Sequence, residues 1–283
     1  MNQVNTLWFQ VPFPFKQIIF WSVSWLVSLL FVTACEKKTS EPPDTSETRI
    51  TIRFEHRIDG QKLQYDTLLY VNEAGNPYMV NEIQYFISDV ILYPHNKGPV
   101  TINEWKDIHY IDTDLPTTLR WDVYDQITAG QYDSVGFHFG IAESENISFM
   151  YPNPPERDMF WPEYLGGGYH YMKLNGKWLP EGQSIQTLPF DFHMGIGQIY
   201  DSVGAITGYV HNDFPVILKS SQFEIMPGET KEIAIVMNIE NWFKDPNIYN
   251  HDLYGGYIMQ NQTAMQKAKE NGHNVFTFAE TKN

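Results

Sequence analysis

Residues 49–58 read RITIRFEHRI, and their alternation decides the fold class. Ile50, Ile52, Phe54 and His56 fall on one face of an extended strand; Arg49, Thr51, Arg53 and Glu55 fall on the other. The same period of two returns along the chain. Val135, Phe137 and Phe139 alternate after the turn at Ala129-Gly130. Leu188, Phe190, Phe192 and Met194 share a face, as do Ile233, Ile235, Met237 and Ile239. Residues 63–70, 85–93, 169–174 and 205–210 also read as strands. Turn signals at Asp59-Gly60, residues 74–77, Asn175-Gly176 and Pro227-Gly228 separate them. Aromatic residues make up 15% of the chain, and such side chains suit a pleated, half-buried surface. These features predict an all-β fold, an antiparallel β-sandwich with a short C-terminal helix. The helix is expected over residues 258–270, stopped by Asn271-Gly272, with a short strand over 274–278 after it.

Domain organisation follows from the one cysteine. Cys35 closes an apolar run from Ile18 to Val32 through Val32-Thr33-Ala34-Cys35. That is the pattern of a bacterial lipoprotein signal, and the run is shorter than the roughly 20 apolar residues of a spanning helix. Residues 1–34 read as a signal peptide, and Cys35 as the acylated mature N-terminus. Residues 35–48 read as a polar, disordered tether, and residues 49–283 as a single domain. The expected location is the cell envelope, lipid-anchored, facing the periplasm or the cell exterior. With Cys35 acylated the domain forms no disulfide and relies on its core. Processing leaves 18 Lys+Arg against 34 Asp+Glu, a formal charge of −16. Such a surface argues against nucleic acid as a partner.

The sequence contains no G-x-S-x-G, Walker A loop, H-E-x-x-H or C-x-x-C, and it reads as a binding protein rather than an enzyme. Asp191 beside His193, and the carboxylates near Glu163, are the weak candidates for acid–base work. Histidines are the stronger source of chemistry, since neutral imidazole is the commonest metal ligand. Asp191 shares a strand face with His193 and could orient its ring. His95 and His109 sit in polar contexts and read as surface residues. The spacings form no local metal motif, so any site must be assembled from distant strands. The stretch from Met159-Phe160-Trp161 to Gly166-Gly167-Gly168-Tyr169-His170 is the densest unusual segment. It reads either as a packed crossover or as the wall of a metal pocket.

Four segments resemble the MbnP-like family, whose founding member serves methanobactin copper acquisition. They are FEHRIDG (54–60), VNEIQYFISDV (80–90), MFW (159–161) with GYHYMKLNG (168–176), and FHMG (192–195). Asn271-Gly272 and Val275-Phe276 resemble the family's ending more loosely. The resemblance implies a β-sandwich that binds copper outside the cytoplasm. It places His56 and His193 at family histidines and Trp161 at a tryptophan that a partner di-haem enzyme of the MauG type oxidises. His170 and His251 join as further candidate ligands, with Met172 or Met194 as soft donors. An outer-membrane transporter is a second implied partner. The alternative is a metal-free interaction module whose aromatic strip, Trp161, Tyr164 and Tyr169, holds a glycan or a protein.

Overall fold

The computed structural model describes residues 47–280. The signal peptide, Cys35 and all of the tether but Glu47 and Thr48 lie outside the described residues. The strands run β1 (Arg49–Ile58), β2 (Gln61–Lys62), β3 (Tyr70–Val71), β4 (Pro77–Pro94), β5 (Val100–Thr101), β6 (Ile108–Asp112), β7 (Arg120–Val123) and β8 (Gly130–Phe139). They continue with β9 (Met172–Trp178), β10 (Leu188–Met194), β11 (Ile196–Tyr200), β12 (Ile206–His211), β13 (Phe214–Ile217), β14 (Phe223–Ile225) and β15 (Thr230–Asn238). The helices α1 (His251–Tyr254) and α2 (Gln262–Asn271) precede the last strand, β16 (Phe276–Glu280).

Two sheets enclose the core. The smaller has the order β16-β15-β1-β2, with β7 also on β1. The larger is built on β4, which runs for 18 residues. Its neighbours divide by register. β9 pairs with β4 over residues 78–85 and β8 over 87–94, so they follow one another along one edge. β3, β6 and β5 overlap those registers and therefore occupy the other edge. At the junction Phe86 donates its N–H to the Tyr171 carbonyl (3.1 Å), and its own carbonyl accepts from Gly140 N–H (2.9 Å). β11 and β12 form a separate hairpin.

The alternation along β1 predicts its burial. Ile50, Ile52, Phe54, His56 and Ile58 are buried and Arg53 is exposed. Across the sandwich, Phe137 and Phe139 of β8 meet Phe276 of β16 at centroid distances of 5.1 and 5.5 Å. β1 and β15 pair in parallel, unlike the antiparallel ladders elsewhere. Several sequence expectations shift: β9 begins only at Met172, so residues 169–171 precede it, and Ile239 follows β15 in a 3-10 turn. Residues 63–70 form no continuous strand; only Tyr70 enters one, because this segment crosses over to reach β4. Asn175-Gly176 is not a turn but lies within β9, where Gly176 leaves room for the Phe190 ring and the Met79 carbonyl. The helix starts at Gln262, capped by the Asn261 side chain accepting from Ala264 N–H (3.1 Å).

Phe139 is fully buried and packs on Phe214, Trp242 and Phe276. Phe139→Ala is expected to destabilise the domain by about 3–5 kcal/mol. In urea unfolding this should appear as a lower midpoint at an unchanged slope; an unchanged midpoint would contradict this packing.

Candidate metal centre

Between β8 and β9 the chain makes a long excursion, residues 140–171; Trp161, Leu165 and Tyr171 join the main core, while the rest of its apolar anchor lies on the outer face of the larger sheet. It is held there by a second apolar cluster, in which Ile141, Met159 and Tyr169 from the excursion pack on Phe86, Ile108 and Tyr110. Its two limbs also pair with each other. Trp161 N–H donates to Gly168 O (2.8 Å), and His170 N–H donates to Met159 O (2.7 Å). Gly166, Gly167 and Gly168 between them all have positive φ, at 123°, 71° and 73°. Only glycine adopts such a run without strain. Asn146 and Ser148 then fix the tip: Tyr169 N–H donates to Asn146 Oδ1 (2.8 Å) and Gly168 N–H to Ser148 Oγ (2.7 Å).

This scaffold brings three of the sequence-predicted residues together. His170 lies 4.7 Å from Trp161 and 5.2 Å from His193, measured between ring centroids, with both contacts edge-on. Trp161 is fully buried, donates Nε1–H to Leu165 O (3.2 Å), and covers Gly195, where a Cβ would stand 2.5 Å from the indole. His193 pairs with Lys173 across the β10–β9 ladder. It therefore points away from the core, opposite to Met194.

The hydrogen bonds fix both tautomers. His170 Nδ1 meets Met159 O at 2.9 Å, and a carbonyl only accepts, so Nδ1 carries the proton. Asn175 Nδ2 donates to Glu82 Oε2 (3.1 Å), which turns Asn175 Oδ1 toward His193 Nε2 at 2.7 Å. His193 Nε2 is then the protonated nitrogen. The remaining nitrogens, His170 Nε2 and His193 Nδ1, are bare lone pairs, buried and without a partner. Burial, with Lys173 adding positive charge nearby, lowers the His193 pKa to about 3. Burial first, then the neighbouring His193 and Lys173, holds His170 well below the ordinary value. Both rings are neutral at neutral pH.

The other predicted residues lie elsewhere. His56 faces the sandwich interior and meets Tyr85 edge-on at 5.7 Å. The larger sheet separates it from His193, so the expected His56–His193 pair does not form. Met172 and Met194 point into the core and do not approach His193. Asp191 does not orient His193; Asn175 does. His251 sits in an aromatic box, stacked on Phe190 (4.5 Å) and Trp178 (5.7 Å), and neither ring nitrogen has a partner. His95 is exposed beside Asp133, as expected. His109 is not on the surface but buried between Phe54 and Trp121, because Thr118 O and Lys106 Nζ satisfy its two nitrogens. The aromatic strip is not a platform either: Trp161 and Tyr169 are buried, and only Tyr164 is exposed. Sequence reasoning missed Asn175 and Glu82: Asn175 reads as part of a turn with Gly176, and Glu82 as an ordinary strand residue. Their one signal was that both lie in segments that resemble the family, VNEIQYFISDV and GYHYMKLNG.

The family model named MbnP matches residues 47–264. The chain belongs to the MbnP family. The structure of MbnP from Methylosinus trichosporium superposes with a TM-score of 0.54 at 15% identity, covering 83% of this chain and 99% of that one. At that identity the likeness is one of fold. No curated protein matches the chain. Among the described residues of this MbnP-family chain, no group of three or more His, Cys, Asp or Glu is placed to hold a metal ion. Any ion at the site must accept two imidazoles as its side-chain donors of that kind.

Buried neutral histidines tie stability to pH. His56 titrates at about 4 and His109, His193 and His251 at about 3, all lowered chiefly by burial. In the unfolded chain they titrate near the ordinary 6.5. The unfolded state thus binds more protons below that value, and stability falls as pH drops from 6.5 toward the folded values. His251→Phe keeps the ring in its aromatic box and removes a titrating group. The variant should be more stable than the parent at pH 5, with the advantage growing by about 1.4 kcal/mol per pH unit on acidification. Urea unfolding at several pH values reads this; parallel stability curves would contradict it.

Proposed function

We propose that this chain is a membrane-tethered, extracytoplasmic copper-binding protein, and that His170 and His193 hold the metal beside Trp161. The observation that carries the reading is the pair of buried lone pairs, each on a ring whose other nitrogen is already hydrogen-bonded. Ligating histidines have this arrangement: the second nitrogen is tied to a carbonyl or an amide, which fixes tautomer and ring orientation. A structural zinc site wants four donors. Two neutral imidazoles suit Cu(I), which accepts low coordination and nitrogen ligands. When bound, copper would supply a soft cation for acquisition or handling. The chain's own residues shield the rings with the buried Trp161 and, through burial and the nearby Lys173, keep both histidines neutral. Membership of the MbnP family supports the same reading.

Lipid attachment at Cys35, oxidation of Trp161 by a MauG-type di-haem enzyme, and exchange with an outer-membrane transporter belong to this proposal. The glycan-binding alternative loses support because two of its three aromatic rings are buried.

Titration of the copper-free protein with Cu(I) against a competing chelator tests the site. One equivalent should bind tightly, and His170→Ala or His193→Ala should abolish that binding. His56→Ala and His251→Ala should retain it. Asn175→Ala, which frees the His193 ring, should weaken it roughly 10- to 100-fold. Wild-type affinity in both His170→Ala and His193→Ala would overturn the proposal.

A further inference from the structure

The smaller sheet has a gap. β7 pairs with β1 only over residues 50–53, and β2 only over 57–58. Both lie on the edge away from β15, which pairs along residues 49–57. His56 O still accepts from Leu63 N–H (3.0 Å), so only residues 54–55 have no chain beside them on that edge. A cavity of about 560 Å³ opens there, within the size range of small-molecule sites.

Its lining has two chemistries. Phe54, Leu63, Tyr65 and Leu119 give it apolar walls. Arg53, Arg57 and Lys62 also line it, against the single carboxylate of Glu55. This is a local excess of positive charge on a chain whose formal charge is −15. The cations are incompletely used. Arg57 is held by Glu55 (2.6 Å), Arg53 reaches Glu232 only at 3.6 Å, and Lys62 makes no ion pair among the described residues. His56 also lines the cavity; it is 6% exposed, and its Nε2 is buried without a hydrogen-bond partner. Buried polar groups are normally satisfied, so an orphan at the edge of a cavity points to a missing partner.

We infer that this gap is a binding site for a small organic carboxylate with an apolar or aromatic body. The body fills the space between Phe54, Tyr65 and Leu119. The carboxylate faces Arg57 and Lys62, where guanidinium geometry favours it. A simple inorganic anion would leave the apolar walls unfilled, and a neutral hydrocarbon would leave the cations unanswered. The site is independent of the His170–His193 pair, which lies on the outer face of the other sheet.

The test is calorimetric titration of the full chain, copper-free, with 1-naphthoate and with its uncharged counterpart 1-naphthalenemethanol. Naphthoate should saturate one site, with the alcohol at least roughly tenfold weaker. Arg57→Gln/Lys62→Gln, at partly exposed positions and checked for an unchanged melting temperature, should weaken naphthoate by roughly tenfold or more. His170→Ala should leave it unchanged. Absence of saturable binding up to millimolar naphthoate would overturn the inference. So would equal affinity for the alcohol, or wild-type affinity in the double variant.

Discussion

The metal centre depends on one strand accepting two neighbours in succession along the same edge. β4 is long enough for β9 and β8 to lie end to end, and Phe86 bonds to the last residue before one and the first after the other. Residues 140–171 must then leave and re-enter the sheet at almost the same place. A loop that long would not order by itself, because fixing each residue costs about 1–2 kcal/mol of backbone entropy. It orders by burying Met159 and Tyr169 against the outer face of the sheet. That burial sets Met159, whose carbonyl accepts both the backbone N–H and the Nδ1–H of His170. One carbonyl thus fixes both the position and the tautomer of the ring.

Buried histidines in this molecule fall into distinct kinds, and the differences are chemical. His109 has both nitrogens satisfied and serves as a flat spacer between Phe54 and Trp121. His251 has neither satisfied and is surrounded by rings, so it contributes packing at the cost of desolvating two polar atoms. His170 and His193 have one nitrogen satisfied each, with the free lone pairs on neighbouring rings. Chance burial would not arrange the second nitrogen of both rings so consistently. The Glu82–Asn175–His193 series is longer than packing requires, and it orients an amide that could otherwise face either way.

The strands were legible because their apolar residues recur with a period of two, and the burial of β10 follows it closely; β15 is instead buried on both faces from Ile233 to Met237. The parallel pairing of β1 with β15 was not, since alternation is the same for either direction. Asn175-Gly176 misled because its composition signals a turn, while its actual constraint is the Phe190 ring packed across the strand. Trp161, His170 and His193 were each legible as candidates through residue type and the family-like segments. Their grouping was not, because it depends on how residues 140–171 fold back. His56 shows the converse. It shares a buried strand face, as read, but strand periodicity cannot say on which side of a second sheet another histidine will lie.

The placement of His56 has a further consequence. A family-like segment, FEHRIDG, lies where β1 passes from its partner β7 to its partner β2. Its residues face two environments: Phe54 and His56 face the interior, and Arg57 faces the rim. Asp59 and Gly60 make the tight turn into β2 with positive φ, 49° and 74°, and β2 then runs back along β1. The chain leaves this edge after Leu63, whose N–H donates to His56 O (3.0 Å), and Phe54 and Glu55 stay unpaired there. The shortness of β2 therefore determines that the smaller sheet keeps an opening, just as the length of β4 determines that the larger one carries a loop. Each sheet owes its distinctive site to a place where regular pairing is interrupted, and the two interruptions lie on opposite sides of the core.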